Sequence, residues 1–141
     1  MFDPNTFATM TITEANATEY TPIPEDEYQA VVDEIAARVT TTGKPILDVT
    51  WKLDAPQAPD ADGKKIRQSV FLDISASGDL LSGKGANIQL GRLREAVKQN
   101  QTGKAWTPSM LIGCVAYILV KHRLEEASGK IYADVKGVTA F

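Results

Sequence analysis

A phenylalanine set among cations on one side of a strand-like segment is the pattern in this sequence that most demands a chemical role. From Lys65 onward the residues alternate: Ile66, Val70, Leu72 and Ile74 fall on one side, with Gln68 the polar exception. Lys65, Arg67, Ser69, Phe71 and Asp73 fall on the other. A ring left on the polar side forgoes about 1.5–3 kcal/mol of burial. Stacking on nucleobases supplies about 1–3 kcal/mol per base, while neighbouring lysines and arginines neutralise phosphates. The same alternation puts Thr50 and Lys52 on the polar side of the preceding segment. It groups Tyr117, Lys121 and Arg123 in a later segment, and Tyr132 and Lys136 in the last. The candidate nucleic-acid-binding residues are therefore Lys52, Lys65, Arg67, Phe71, Tyr117, Lys121, Arg123, Tyr132 and Lys136. Against each stands a plainer reading: outward lysines and arginines are by default simply solvated. Trp51, which shares a side with Leu47, Val49 and Leu53, reads as core.

Catalysis is not expected, and neither is a metal or other cofactor. His122 is the sole histidine, a zinc site needs more ligands than this chain offers, and no serine stands in a nucleophile motif. Gly78-Asp79-Leu80-Leu81-Ser82-Gly83-Lys84 matches the first seven positions of a phosphate-binding P-loop. The eighth position, where a hydroxyl should bind Mg²⁺, is Gly85, and the α/β alternation that builds a parallel sheet is missing downstream. A glycine-rich loop explains the segment better. A P-loop-like nucleotide binder stays open as a distant reading, because Lys84 and backbone N–H groups precede a helix start. Cys114 is alone, so it reads as a small buried hydrophobe on a strand in a reducing compartment.

At 141 residues the chain has the size of one domain. Met110–Val120, its longest apolar run, is far short of the ~18–20 residues a membrane span needs, and no signal peptide is evident; a cytoplasmic protein without a membrane partner is expected. The net charge of −3 is unevenly spread. Residues 1–37 hold eight acids and no Lys or Arg, whereas residues 38–141 hold fifteen bases against ten acids, a net +5. A polyanion responds to that local field more than to the total.

The elements that must position these side chains can be read in order. Strands are expected at Tyr28–Val39, Ile46–Leu53 and Lys65–Ile74, a helix at Ile88–Gln99, and strands at Gly113–Leu124 and Ile131–Val138. In the first strand Ala30 and Val32 share a face, while Ile35, Ala37 and Val39 follow on the opposite parity; the switch at Asp33-Glu34 predicts a bulge. Leu90, Leu93 and Val97 form the helix stripe, Asn87 is a candidate N-cap, and Trp106 is expected beneath the helix. An all-β chain with one helix, in the order β-β-β-α-β-β, is that of a five-stranded OB-like barrel. Residues 1–24 form an acidic, Thr-rich N-terminal arm ending in Pro22-Ile23-Pro24, and 25–141 the OB-like nucleic-acid-binding domain. Phe2, Phe7, Met10 and Ile12 make the arm more apolar than a linker needs, so it is either disordered or docked on its own or a neighbouring subunit.

Several stretches carry a family resemblance: Glu27-Tyr28-Gln29-Ala30-Val31-Val32, Gly43-Lys44-Pro45 before a strand, Leu90-Gly91-Arg92-Leu93-Arg94-Glu95-Ala96, and Tyr132-Ala133-Asp134-Val135-Lys136-Gly137-Val138. Over about Glu25 to Val138 the chain resembles small bacteriophage OB-fold single-stranded DNA-binding proteins. The resemblance implies a role in phage DNA replication or recombination, with single strands coated in the bacterial host cytoplasm. Many such proteins end in an acidic tail capped by an aromatic that recruits replication partners. Here Phe141 ends the chain but Asp134 is the sole acid in the last twelve residues, which weakens that expectation. The acidic segment is N-terminal instead, where it either competes with DNA or joins subunits. A homo-oligomer is expected, since one small barrel covers only ~4–16 nucleotides. The alternative is a phage structural or assembly β-barrel that oligomerises through the arm.

Overall fold

Alternating apolar and polar residues lay down five strands in the computed structural model, which describes residues 1–18 and 21–141. They are β1 (Asp26–Val39), β2 (Pro45–Leu53), β3 (Lys65–Phe71), β4 (Val115–Glu125) and β5 (Lys130–Ala140), with one α-helix, α1 (Ile88–Ala96), between β3 and β4. Every ladder is antiparallel and the sheet order is β3-β2-β1-β4-β5. The protein is thus mostly sheet, with a single helix among the described residues. Among the described residues no helix is long and apolar enough to cross a membrane.

Strand β1 is the hinge of this sheet. Asp26–Val31 pair with β4 and Ala30–Val39 pair with β2, so the two ladders overlap only at Ala30 and Val31. Val32 faces Trp51 and Glu34 faces Thr50, which leaves Asp33 as the extra residue of a bulge where the parity switch predicts one. Ala30 and Val32 before the bulge, and Ile35 after it, thereby reach the same inner side. The sheet's edge strands, β3 and β5, approach within 8 Å at some Cα positions, with no hydrogen-bonded ladder joining them among the described residues, and α1 lies against both. The sheet is open but curled around its own inner face.

The core fills that concavity with Val32, Val49, Trp51, Leu53, Ile66, Val70, Ile118 and Val120, closed over by Leu90 and Leu93 of α1 and by Leu111. Trp51 is fully buried, as its neighbours in sequence suggest. Its indole N–H donates to Gln68 Oε1 at 2.9 Å, which explains the one polar residue on the inner side of β3.

Four local features differ from the sequence reading. β3 stops at Phe71, not Ile74, because side chains around the start of α1 take over the next donors: the Phe71 N–H donates to Gln89 Oε1 (3.0 Å) and the Asp73 N–H to Asn87 Oδ1 (2.8 Å). Asn87 does stand at the N-cap position, but it makes no side-chain cap bond. Its amide donates to the carbonyls of Asp73 (3.1 Å) and Leu81 (2.9 Å), and its own N–H donates to Asp73 Oδ2 (2.8 Å), so it clasps both ends of the loop between β3 and α1. The helix ends at Ala96, not Gln99, because Lys98 takes a left-handed conformation (φ +62°) that turns Gln99 inward. There Gln99 Oε1 accepts the Trp106 indole N–H (2.8 Å), and its amide donates to Met110 O (2.9 Å) and Cys114 Sγ (3.2 Å). Cys114 is accordingly half-buried in the turn before β4 instead of on a strand, and burial pushes its thiol pKa up. Trp106 does pack by the helix end, with the Arg94 guanidinium 4.1 Å above its ring.

The Gly78–Lys84 segment leaves from the edge of an antiparallel sheet, not from the middle of a parallel one, so it lacks the setting of a P-loop. Residues 76–85 are exposed throughout. At the other end of the chain, residues 1–18 are exposed and carry only a short 3₁₀ turn at Phe7–Thr9. The chain is anchored from about Ile23, which is buried; the Tyr28 hydroxyl donates to Pro24 O (2.7 Å) and His122 Nε2–H to Ile23 O (2.8 Å).

Asn87→Ala removes several buried hydrogen bonds and strains a left-handed residue (φ +53°), so it is expected to lower unfolding free energy by about 2–4 kcal/mol. Asn87→Gly should recover only the backbone part, because the clasp on Asp73 and Leu81 is still lost. Urea titration of both variants checks this; equal stability of the glycine variant and the parent would show that the clasp contributes nothing.

Candidate nucleic-acid interface

The outer side of the sheet is set by the register. Lys52 stands opposite Lys65, Thr50 opposite Arg67, Asp48 opposite Ser69 and Ile46 opposite Phe71. Lys52, Lys65, Arg67 and Phe71 therefore share one surface on β2 and β3. The Phe71 ring is 50% exposed at its far end. The β1 residues Glu34 and Arg38 join the same surface, opposite Thr50 and Ile46, with Asp33 at the bulge beside them.

The remaining candidates lie elsewhere. Val120 pairs with Asp26, the first residue of β1, so Lys121 and Arg123 sit on a β4–β5 hairpin that projects past the end of β1. Arg123 faces Tyr132 across that ladder with its guanidinium 5.1 Å from the ring centroid, and Tyr132 stays 39% exposed. Lys136 lies at a second bulge, where it and Gly137 together oppose Leu119, so its simple parity with Tyr132 is broken. Tyr117 lies between the two groups, half-buried, with the Phe141 ring 5.5 Å away. The register thus places the candidates in a β2–β3 patch and a hairpin patch, with Tyr117 between them.

Carboxylates are interleaved with the cations. Lys65 Nζ lies 2.8 Å from Asp33 Oδ2, and Arg123 Nε lies 2.9 Å from Asp134 Oδ2. Each hydrogen bond raises the base's pKa; Lys65 also holds the Asp33 carboxyl below its ordinary value. Asp48 is 6% exposed, accepting from Arg38 Nε (2.6 Å) and Ser69 Oγ (2.9 Å). Burial pushes the Asp48 pKa up, but the bonds from Arg38 and Ser69 and the charges of Arg38 and Arg67 outweigh it and hold the carboxyl low. Of the candidate cations, Lys52, Arg67, Lys121 and Lys136 enter no ion pair among the described residues and are free to meet a phosphate.

Beside Lys52 a shallow groove of about 450 Å³ runs between β1 and the β2–β3 turn, lined in part by Gln29, Val31, Asp54, Gly63 and Val115. Gln29 Nε2 donates to Asp54 Oδ2 at 3.2 Å on its wall. Sequence reasoning did not assign Arg38, Asp33, Gln29 or Phe141 to the site. Arg38 and Asp33 were readable from parity once the bulge was allowed for; the Phe141–Tyr117 contact had no local signal. His122, the lone histidine, is engaged with Ile23, and its backbone N–H donates to Glu25 Oε2 at 2.7 Å, which lowers the Glu25 pKa. No cluster of three or more His, Cys, Asp or Glu side chains suited to a metal is found among the described residues.

In comparisons with known proteins, no family model matches the chain and no curated protein matches it.

Because Asp48 has a lower pKa folded than unfolded, where about 3.9 applies, its contribution to stability is fully present above that value and is lost as pH falls through the folded pKa. Denaturant midpoints should therefore fall steadily below about pH 4. In Asp48→Asn that acid-side slope should be shallower, with lower stability at neutral pH because Arg38 loses its charged partner. An unchanged slope in the variant would remove Asp48 from the acid response.

Proposed function

We propose that this chain is an OB-like barrel that binds single-stranded DNA without strong sequence preference, in phage replication or recombination. The observation that carries the reading is Phe71, half-exposed on the outer side of β3 in the same surface as Lys52, Lys65 and Arg67. A ring held outward at one end of a ladder, with Arg67, Lys65 and Lys52 further along the same face, suits bases that stack while phosphates are neutralised. The sheet order and the approach of β3 to β5 support an OB-like curl, and the family resemblance supports the single-stranded substrate. Tyr132 and Arg123 on the projecting hairpin, and Tyr117 once Phe141 moves aside, extend the track. The reading assigns no catalytic step or cofactor, and it puts the protein in the bacterial host cytoplasm as a homo-oligomer alongside replication or recombination proteins.

The interleaved acids make affinity modest and tunable. Fluorescence anisotropy with labelled oligo-dT across a salt series tests the assignment. Phe71→Ala should weaken binding by about 1–3 kcal/mol at every salt concentration. Arg67→Ala should instead reduce the salt slope by about 0.7, the value for one phosphate contact on a single strand. Asp33→Asn should tighten binding at low salt by releasing Lys65. If Phe71→Ala and Arg67→Ala both bind like the parent, this face is not the interface.

The assembly reading has its own support in the exposed apolar residues of the arm. A stable assembly without nucleic acid, together with no shift of any oligonucleotide, would favour it over DNA binding.

A further inference from the structure

The described part of the arm carries Phe2, Phe7, Met10 and Ile12 on the outside of the molecule. Within it, Thr9-Met10-Thr11-Ile12-Thr13 alternates hydroxyl and apolar residues with period two, the pattern of a strand with one apolar face. No strand pairs with this segment among the described residues.

A second, separate observation lies at the β5 edge of the sheet. β5 is an edge strand, and its first half projects with the end of β4 beyond β1. Leu124 and Ile131 pair across that hairpin on the inner parity of the sheet, 60% and 51% exposed. An edge of unpaired backbone groups next to an exposed apolar pair is a template for one more strand. On the other edge of the hairpin the His122 N–H is already taken by Glu25, so β5 is the side left open.

We infer that Met10–Thr13 of one copy, which follows the 3₁₀ turn, adds as a strand to the β5 edge of a second copy, along Lys130–Val135, with Met10 and Ile12 over Leu124 and Ile131. Two features favour a second copy over the chain's own arm. Residues 23–25 are held against His122 on the β4 side, so a chain's own arm must cross its hairpin to reach β5, whereas a neighbour's arm need not. Charge is modestly complementary: residues 1–18 carry Asp3 and Glu14 and no base, while residues 121–136 carry Lys121, Arg123, Lys130 and Lys136 against Glu125, Glu126 and Asp134, with Arg123 paired to Asp134. Donor arm and acceptor edge are different surfaces, so each copy presents both and the contact propagates from copy to copy. The inference does not rest on DNA binding.

Sedimentation and light scattering of the full chain without DNA, over a concentration series, test it. The parent is expected to associate with rising concentration. An arm variant, Met10→Asp with Ile12→Asp, and an edge variant, Ile131→Asp, should each lose association while keeping the thermal midpoint that the parent has at its lowest concentration, since the altered residues are exposed. Leu124→Asp replaces the edge variant if Ile131→Asp does not fold. Mixed together, arm and edge variants should form a one-to-one complex, because one keeps an intact edge and the other an intact arm. Hydrogen exchange at Lys130–Val135 should be slowed in the parent and in the mixture. A parent that stays monomeric, β5 amides protected within a monomer, or a mixture that stays unassociated would each overturn the inference. DNA binding plays no part in these outcomes, so failure of the DNA reading would leave them unchanged.

Discussion

Strand β1 must hydrogen-bond two different partners with its two halves, and the rest of the molecule follows from how it does so. The apolar residues change parity between Val32 and Ile35, so β1 keeps one apolar side continuous along both ladders only with an extra residue between them. The extra residue at Asp33 resolves the conflict by bending the strand and resetting its parity. With that bend the sheet wraps its inner face around Trp51, and the two edge strands come near each other with α1 against both. The same residue then points its carboxylate at Lys65, so the architectural bulge also sets the charge of the outer surface.

That outer surface is better described as a mosaic than as a basic strip. Arg38, Lys52, Lys65 and Arg67 are matched nearby by Asp33, Glu34 and Asp48, and Arg123 by Asp134. The exposed pairs Lys65–Asp33 and Arg123–Asp134 contribute little to stability, but all of these pairings lower the local potential that an incoming polyanion meets. A ligand on such a surface depends on ring stacking and on a few unpaired cations, not on a strong field. This agrees with an overall acidic chain and makes Phe71, not any one lysine, the focus of the proposed interface.

The same lattice of pairings accounts for the polar residues inside. Gln68 is there because the buried Trp51 indole needs an acceptor, and Asn87 is buried because the loop between β3 and α1 leaves donors and carbonyls that must be answered. Gln99 does equivalent work at the helix end, holding Trp106, Met110 and Cys114 together. Single amides thus fix the two irregular segments that flank α1.

Much of this was legible in the chain itself. Period-two alternation marks each strand to within a few residues, the parity switch marks the bulge, and the stripe Leu90, Leu93 marks the helix, because these are local consequences of which side of the backbone a residue faces. The outward direction of Phe71 belongs to the same class. What the sequence did not contain is the lateral order of strands and the distance each ladder runs. Those decide that Tyr132 and Arg123 stand on a projecting hairpin away from Phe71, that Phe141 comes against Tyr117, and that Asp33 and Asp48 sit among the cations. Alternation specifies a side of the sheet but carries no information about neighbours across it; only the closing of long-range pairs within one curled sheet assigns those.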